Sequence, residues 1–216
     1  MGPPFRHLIF DMDGTLVDSR AGIQGSIRHT LGRLGHVLPE ATDLDPMIGP
    51  PLEEVMSRLL TPLGDDRTTL AVAYYREHYG AGGLFDAHVY EGIPKLLADL
   101  TASGRTLWVG TSKTTSFASR ILDHFGLADP FSGIYGTDPG GPAPSKTQIF
   151  RRIVMEWRLP PAETVVIGDR EHDIIAARAN GLATVAVLYG FGSREELAAA
   201  GAEVFCKTPA DLLDLL

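Results

Sequence analysis

His7-Leu8-Ile9-Phe10-Asp11-Met12-Asp13-Gly14-Thr15 decides how this chain folds. An apolar run without alternation marks a strand covered on both faces, as in a parallel sheet between helix layers. The run ends in two aspartates two positions apart. In extended backbone such residues point to the same side, so Asp11 and Asp13 are expected to face one site. Gly14 permits a sharp turn directly after them. Ligands of open α/β sheets collect at the carboxyl ends of strands, which is where this pair falls.

Further runs of the same kind follow. Thr106 to Thr111, Thr164 to Asp169 and Ala183 to Leu188 read as buried strands, and weaker ones cover Gly133-Ile134-Tyr135 and Glu203-Val204-Phe205. Between them lie helical patterns at Ile93 to Ala102, Thr115 to Phe125, Gln148 to Trp157, Asp173 to Asn180 and Glu195 to Ala200. Repeated βα alternation predicts an α/β protein with a doubly wound, Rossmann-like parallel sheet. From Asp18 to Phe85 the rhythm changes. Three helical patterns (Ala21 to Leu34, Leu52 to Leu60, Thr68 to Tyr79) follow one another without a strand, punctuated by Asp45-Pro46, Gly49-Pro50-Pro51, Thr61-Pro62 and Gly80-Ala81-Gly82-Gly83. That interval is too long for one crossover helix. The expected organisation is a core of residues 1–14 and 86–216 with an inserted helical domain at 15–85. Hinges are expected near Thr15 to Ser19 and Leu84 to Gly92, and Asp18 or Ser19 as the first helix cap.

Composition bounds the function. The chain has 216 residues, of which 44% are hydrophobic, which suits one compact domain carrying an insertion. Asp and Glu number 27 against 19 Lys and Arg, a formal charge of −8, which disfavours a nucleic-acid polymer or an anionic membrane surface as partner. Cys206 is the single cysteine, so no intrachain disulfide or thiolate zinc cluster is available, and a buried place near the last strand is expected. Met1 to His7 lacks the apolar core of a signal peptide, and no stretch approaches the ~20 apolar residues that span a bilayer. The expectation is a cytoplasmic monomer or homodimer acting on a small molecule.

The other strand ends carry complementary groups. The second run ends in Thr111-Ser112-Lys113, the run from Thr164 in Gly168-Asp169 with Asp173 four residues on, and Lys146 opens a helix. Hard carboxylate oxygens with room for water suit Mg2+, which binds through few carboxylates plus substrate phosphate. One carboxylate can then attack phosphorus to form an aspartyl-phosphate, and a second can protonate the leaving oxygen and later deprotonate water. An ammonium and a hydroxyl offset the charge spread over the phosphoryl oxygens.

These residues carry a resemblance. Asp11-Met12-Asp13-Gly14-Thr15-Leu16-Val17-Asp18-Ser19 resembles the first motif of the haloacid dehalogenase superfamily of phosphatases. Thr111 matches its second motif, Lys146 its third and Gly168-Asp169 with Asp173 its fourth, and the helical insertion corresponds to its cap. Within the superfamily the chain is similar to phosphoglycolate phosphatase-like members. It is also similar to a bacterial 5′-nucleotidase-like branch, through Thr111-Ser112-Lys113, Ile134-Tyr135-Gly136 and Leu188-Tyr189-Gly190-Phe191-Gly192. The resemblance implies Asp11 as nucleophile and Asp13 as general acid/base. It implies Mg2+ on Asp11, the Asp13 backbone carbonyl and Asp169, supported from the outer shell by Asp173, with phosphate on Thr111, Ser112 and Lys146. Two departures stand out: Arg170 follows Asp169 where many relatives have Ser, and Thr147 follows Lys146 where Pro is usual.

Other chemistries fit less well. By the same resemblance, dehalogenases lack the second aspartate, and phosphonate-cleaving relatives need a cap lysine, whereas lysines here stand only at 95, 113, 146 and 207. A nucleotide-binding loop before Lys146 lacks its Gly-Lys-Thr ending, and Pro139, Pro142 and Pro144 remove amides that would cradle phosphate. A phosphomutase and a non-catalytic phosphate- or protein-binding module stay open. The seven histidines show no zinc spacing. Substrate selection is expected from the insertion: Arg58 or Arg76 for a substrate carboxylate, Tyr74, Tyr75, Tyr79 or Phe85 for a nucleobase, or the Gly49-Pro50 turn reaching toward the site.

Overall fold

The computed structural model describes residues 5–138 and 144–216; Pro139, Pro142 and most of the Gly136–Pro144 loop lie outside the described residues. Strand β1 (His7–Phe10) has all its apolar side chains buried because it lies inside a sheet. Among the described residues that sheet has six strands in the order β5-β4-β1-β6-β7-β8. The others are β4 (Thr106–Thr114), β5 (Phe131–Thr137), β6 (Thr164–Gly168), β7 (Ala183–Val187) and β8 (Phe205–Cys206). All neighbours are parallel, and Phe10 stands opposite both Val109 and Ile167. This register sets the end of β1 beside Val109 within β4 and Ile167 near the end of β6, so the residues that follow these positions are neighbours, as in a doubly wound sheet.

Helices α4 (Ile93–Ala102), α5 (Thr115–His124), α6 (Lys146–Trp157), α7 (Glu171–Ala179), α8 (Arg194–Ala199) and α9 (Leu212–Leu215) alternate with these strands. Ile149, Phe150 and Ile153 of α6 and Ala176 and Ala177 of α7 pack on Ile9, Trp108 and Val166. Cys206 is buried, as expected, and donates to the Thr208 carbonyl at 2.9 Å.

Residues 19–88 form a separate compact unit, and residues 1–18 with 89–216 form the other. The helical unit holds α1 (Arg20–Arg33), α2 (Leu52–Leu60) and α3 (Thr68–Ala81), with Ile23, Ile27, Leu31, Val55, Met56, Val72, Tyr75 and Tyr79 buried. Two-residue strands β2 (Val17–Asp18) and β3 (His88–Val89) flank it; they are too short to leave a periodicity in the sequence. Ser19 takes the N-cap position of α1, but its side chain makes no capping bond, and Asp18 lies one residue before it. No described helix is long and apolar enough to cross a membrane.

Element ends shift where local chemistry overrides periodicity. Helix α6 starts two residues earlier than expected because Ser145 and Gln148 close a reciprocal cap: Gln148 N donates to Ser145 Oγ at 3.3 Å and Ser145 N to Gln148 Oε1 at 2.8 Å. Strand β4 continues to Thr114, three residues beyond its apolar run, because pairing with β5 resumes at Thr137 after an irregularity past Gly110. Thr111, Ser112 and Lys113 therefore lie in an irregular strand end.

Candidate active site

Asp11 leaves β1 with its amide still donating to the Ile167 carbonyl of β6 at 2.9 Å, so its backbone is held by the sheet. The chain then turns tightly: Val17 N and Leu16 N donate to the Met12 carbonyl, and Gly14 N to the Val17 carbonyl at 2.8 Å. Gly14 has φ of +83°, and a Cβ there would lie 2.1 Å from Asp169 Oδ2. Only glycine fits both the dihedral and the gap.

The turn brings three buried carboxylates together. Asp11, Asp169 and Asp173 each offer an oxygen, and these atoms lie within 4.8 Å of one another. Lys146, at the start of α6, places Nζ 2.9 Å from Asp11 Oδ2 and 2.7 Å from Asp173 Oδ1. Burial and the neighbouring Asp173 push the Asp11 carboxyl up to about 7, against the pull of Lys146. Burial and then Asp11 and Asp173 also raise Asp169, opposed by the Phe191 amide. Burial alone would lower the Lys146 ammonium, but Asp11 and Asp173 hold it up, so it stays charged.

Three carboxylates against one ammonium leave unbalanced negative charge in a dry site. Asp169 Oδ2 accepts from Phe191 N at 2.7 Å, while Asp169 Oδ1 is buried without a hydrogen-bond partner. An all-oxygen donor set with an orphaned oxygen and excess negative charge fits a hard divalent cation.

Asp13 is expected to meet a cation through its backbone carbonyl rather than its carboxylate. Its side chain is not part of the three-carboxylate cluster; it meets Lys113 instead, with Lys113 Nζ 3.3 Å from Asp13 Oδ2 and both side chains largely buried. Asp173, expected to act from further out, has its carboxylate inside the cluster, because α7 starts at Glu171 and carries it on the first turn. Thr111 is buried, and its Oγ1 accepts from Lys113 N at 3.2 Å; Ser112 is partly exposed beside it. Arg170 does not enter the cluster. Its amide donates to Asp173 Oδ2 at 3.2 Å while its guanidinium turns to Glu196.

In the helical unit, Arg76 pairs with Glu53 at 2.9 Å and Arg58 with Glu54. Tyr75 and Tyr79 stack at 5.3 Å and are buried, so these two rings are core of that unit. Tyr74 lies under the Arg33 guanidinium at 3.7 Å. Gly49 has φ of +105°, and Pro50 is buried beside it.

Sequence reasoning missed Lys113 as the partner of Asp13. Its place two residues after Thr111 was a usable signal, since that spacing returns a strand side chain to the same face. Gly168 and Gly190 fall within the motif segments, but their close packing went unread: a Cβ there would lie 2.3 Å from Asp173 Cγ and 2.4 Å from Asp169 Cβ, respectively. Asp169 lies 21 residues before Gly190, so no local pattern reveals that second requirement.

With the geometry established, similarity to known proteins adds a family. The model of the haloacid dehalogenase-like hydrolase family matches residues 8–187. A 5'-nucleotidase from Pseudomonas aeruginosa is 38% identical over 98% of this chain and 96% of its own length. The tyrosine-protein kinase PtkA of Mycobacterium tuberculosis is 40% identical over 86% of this chain, which spans 62% of that protein. A phosphoglycolate phosphatase from Rhodospirillum rubrum is 30% identical over 90% of this chain and 84% of its own. Among solved structures, a predicted phosphatase from Clostridium acetobutylicum superposes with a TM-score of 0.91 at 35% identity, covering 99% of this chain and 98% of that one.

Proposed function

This chain belongs to the haloacid dehalogenase-like hydrolase family, and from that membership we propose that it is a Mg2+-dependent phosphatase that hydrolyses a small phosphomonoester through a phospho-aspartate at Asp11. One observation carries the reading: a buried nucleophile-grade carboxylate, Asp11, lies in a cation-fitting cluster with Asp169 and Asp173 and in contact with Lys146. Asp11 and Asp169, with the Asp13 backbone carbonyl, would hold the Mg2+, and Asp173 supports them. The cation supplies charge neutralisation for the carboxylates and the bound phosphoryl group.

The chain's own residues do the rest. An Asp11 carboxylate oxygen attacks phosphorus, and the bond from phosphorus to the ester oxygen breaks as the acyl phosphate forms. Asp13 gives its proton to the departing alkoxide, then accepts one from the water that cleaves the phospho-aspartate and releases phosphate. Lys113, beside Asp13, holds that carboxylate in one orientation between the two steps. Lys146 and Thr111, with Ser112, face the phosphoryl oxygens, and Lys146 keeps its proton throughout.

For the substrate, two readings have support. The near-complete match to the Pseudomonas 5'-nucleotidase at 38% identity favours a nucleoside monophosphate. The phosphoglycolate phosphatase relative favours a small carboxylated phosphomonoester, with Arg58 or Arg76 on its carboxylate.

Phosphate release from 2-phosphoglycolate, nucleoside 5′-monophosphates and p-nitrophenyl phosphate tests both levels. Turnover with Mg2+ that disappears with chelator and in Asp11→Asn supports the mechanism, and the preferred substrate chooses the class. Turnover retained by Asp11→Asn overturns the mechanism.

A further inference from the structure

Arg170 stands between two cluster carboxylates in sequence, yet its side chain points away from both. Its Nε donates to Glu196 Oε1 at 2.8 Å, and the same oxygen accepts from Glu171 N at 3.0 Å. The Arg170 side chain is only 9% exposed and that of Glu196 24%, so the pair is largely removed from the screening that weakens surface ion pairs.

Glu196 is itself fixed. It lies in the first turn of α8, where its amide donates to the N-cap Ser193 Oγ at 3.1 Å. The residues leading into that turn already touch the cluster. Phe191 N donates to Asp169 Oδ2 at 2.7 Å. A Cβ on Gly192 would lie 2.0 Å from the Asp169 carbonyl oxygen, so this backbone lies directly against Asp169. On the other side, the Arg170 amide donates to Asp173 Oδ2.

We propose that Arg170 and Glu196 are a positioning pair. By joining the start of α8 to the Asp169–Glu171 backbone, the pair aims the Asp169 and Asp173 carboxylates at the cation. The proposal rests on the Mg2+ reading above. The chemistry is that of outer-sphere support: a carboxylate ligand holds its orientation only if the backbone bearing it is held. Arg at 170, a departure from the motif the sequence resembles, gains a role here: its guanidinium reaches Glu196 while its own amide stays on Asp173.

The test titrates Mg2+ alone into wild-type protein, Glu196→Ala, Glu196→Gln, Arg170→Met, the Glu196→Ala/Arg170→Met double variant and Asp169→Asn by calorimetry, with thermal unfolding measured alongside. Glu196→Ala and Arg170→Met each weaken Mg2+ binding by roughly 10- to 100-fold. Glu196→Gln, which keeps an oxygen acceptor for the Glu171 amide, recovers most of the affinity. The double variant is no weaker than the poorer single one, because the two side chains act as a unit. Wild-type Mg2+ affinity in both single variants, with only a lower Tm, overturns the proposal and leaves the pair as a helix cap for α7. If Glu196→Ala does not fold, Arg170→Met carries the same comparison with the Glu171–Glu196 bond intact. Failure of the metal reading looks different: wild-type protein then binds no Mg2+, or Asp169→Asn binds it as tightly as wild type.

Discussion

Lys146 carries one positive charge into a cluster of three carboxylates, and most of the site's electrostatics follow from that ratio. Replacing it with Met removes the compensation. Breaking a buried pair in this way costs about 3–5 kcal/mol, so Lys146→Met in chelator at neutral pH is expected to lower stability by that order and to abolish turnover. Urea unfolding and phosphate release check the two effects. Asp11 makes a signed prediction about pH. Its carboxyl lies near 7 in the folded protein, above its ordinary 3.8. The folded state therefore holds a proton that the unfolded state gives up, and the stability from this group is present at low pH and lost as pH rises through about 7. At about 1.4 kcal/mol per pH unit the loss for Asp11 is about 4 kcal/mol. Unfolding in chelator between about pH 3.5 and 8 is expected to show that fall, most of it complete by about pH 7, and added Mg2+ to suppress it. Cys206 is simpler: burial pushes its thiol up to about 11. Alkylation of native protein at pH 8 is therefore expected to be slow and to accelerate sharply on unfolding.

At the scale of elements, the cap of α6 does more than end a helix. Ser145 and Gln148 satisfy each other's backbone, and the next residue is Lys146, so the cap decides where the ammonium begins its reach. Ser145→Ala is expected to cost about 1 kcal/mol and to lower kcat as well, which thermal unfolding and steady-state kinetics separate. The link between β6 and α7 is less tolerant. Gly168→Ala would place a methyl 2.3 Å from Asp173 Cγ, and the carboxylate must move. Mg2+ affinity is expected to fall more steeply than Tm in that variant. These elements differ in how plainly the sequence announced them. Strands β1, β6 and β7 were legible because burial on both faces leaves continuous apolar runs. Helix α4 was legible to the residue, since Gly92 and Ser103 flank a clear amphipathic pattern. The first turns of α6 and α7 were not, because Lys146-Thr147 and Glu171-His172 carry no apolar periodicity and are helical through their caps.

For the whole molecule, selectivity and chemistry are expected to divide between the two units. Arg58 and Arg76 are 51% and 40% exposed and pair within the helical unit, so Arg58→Ala and Arg76→Ala should each change stability by less than about 1 kcal/mol. If either recognises a substrate carboxylate, its loss lowers turnover of 2-phosphoglycolate while leaving p-nitrophenyl phosphate unchanged; identical profiles dismiss both. The sequence by itself determined the βα order, the insertion after the first strand, and Asp11, Lys146, Asp169 and Asp173 as groups at strand ends and helix starts. Those are local properties: apolar periodicity, turn residues, and position relative to a strand. Only the tertiary structure decided that Asp173 joins the carboxylate cluster, that Asp13 meets Lys113, and that Arg170 turns to Glu196. Each of these pairings joins residues whose separation along the chain says nothing of their separation in space. Parallel register at β1, β4 and β6, with the backbone approach that Gly14, Gly168 and Gly190 allow, sets those distances.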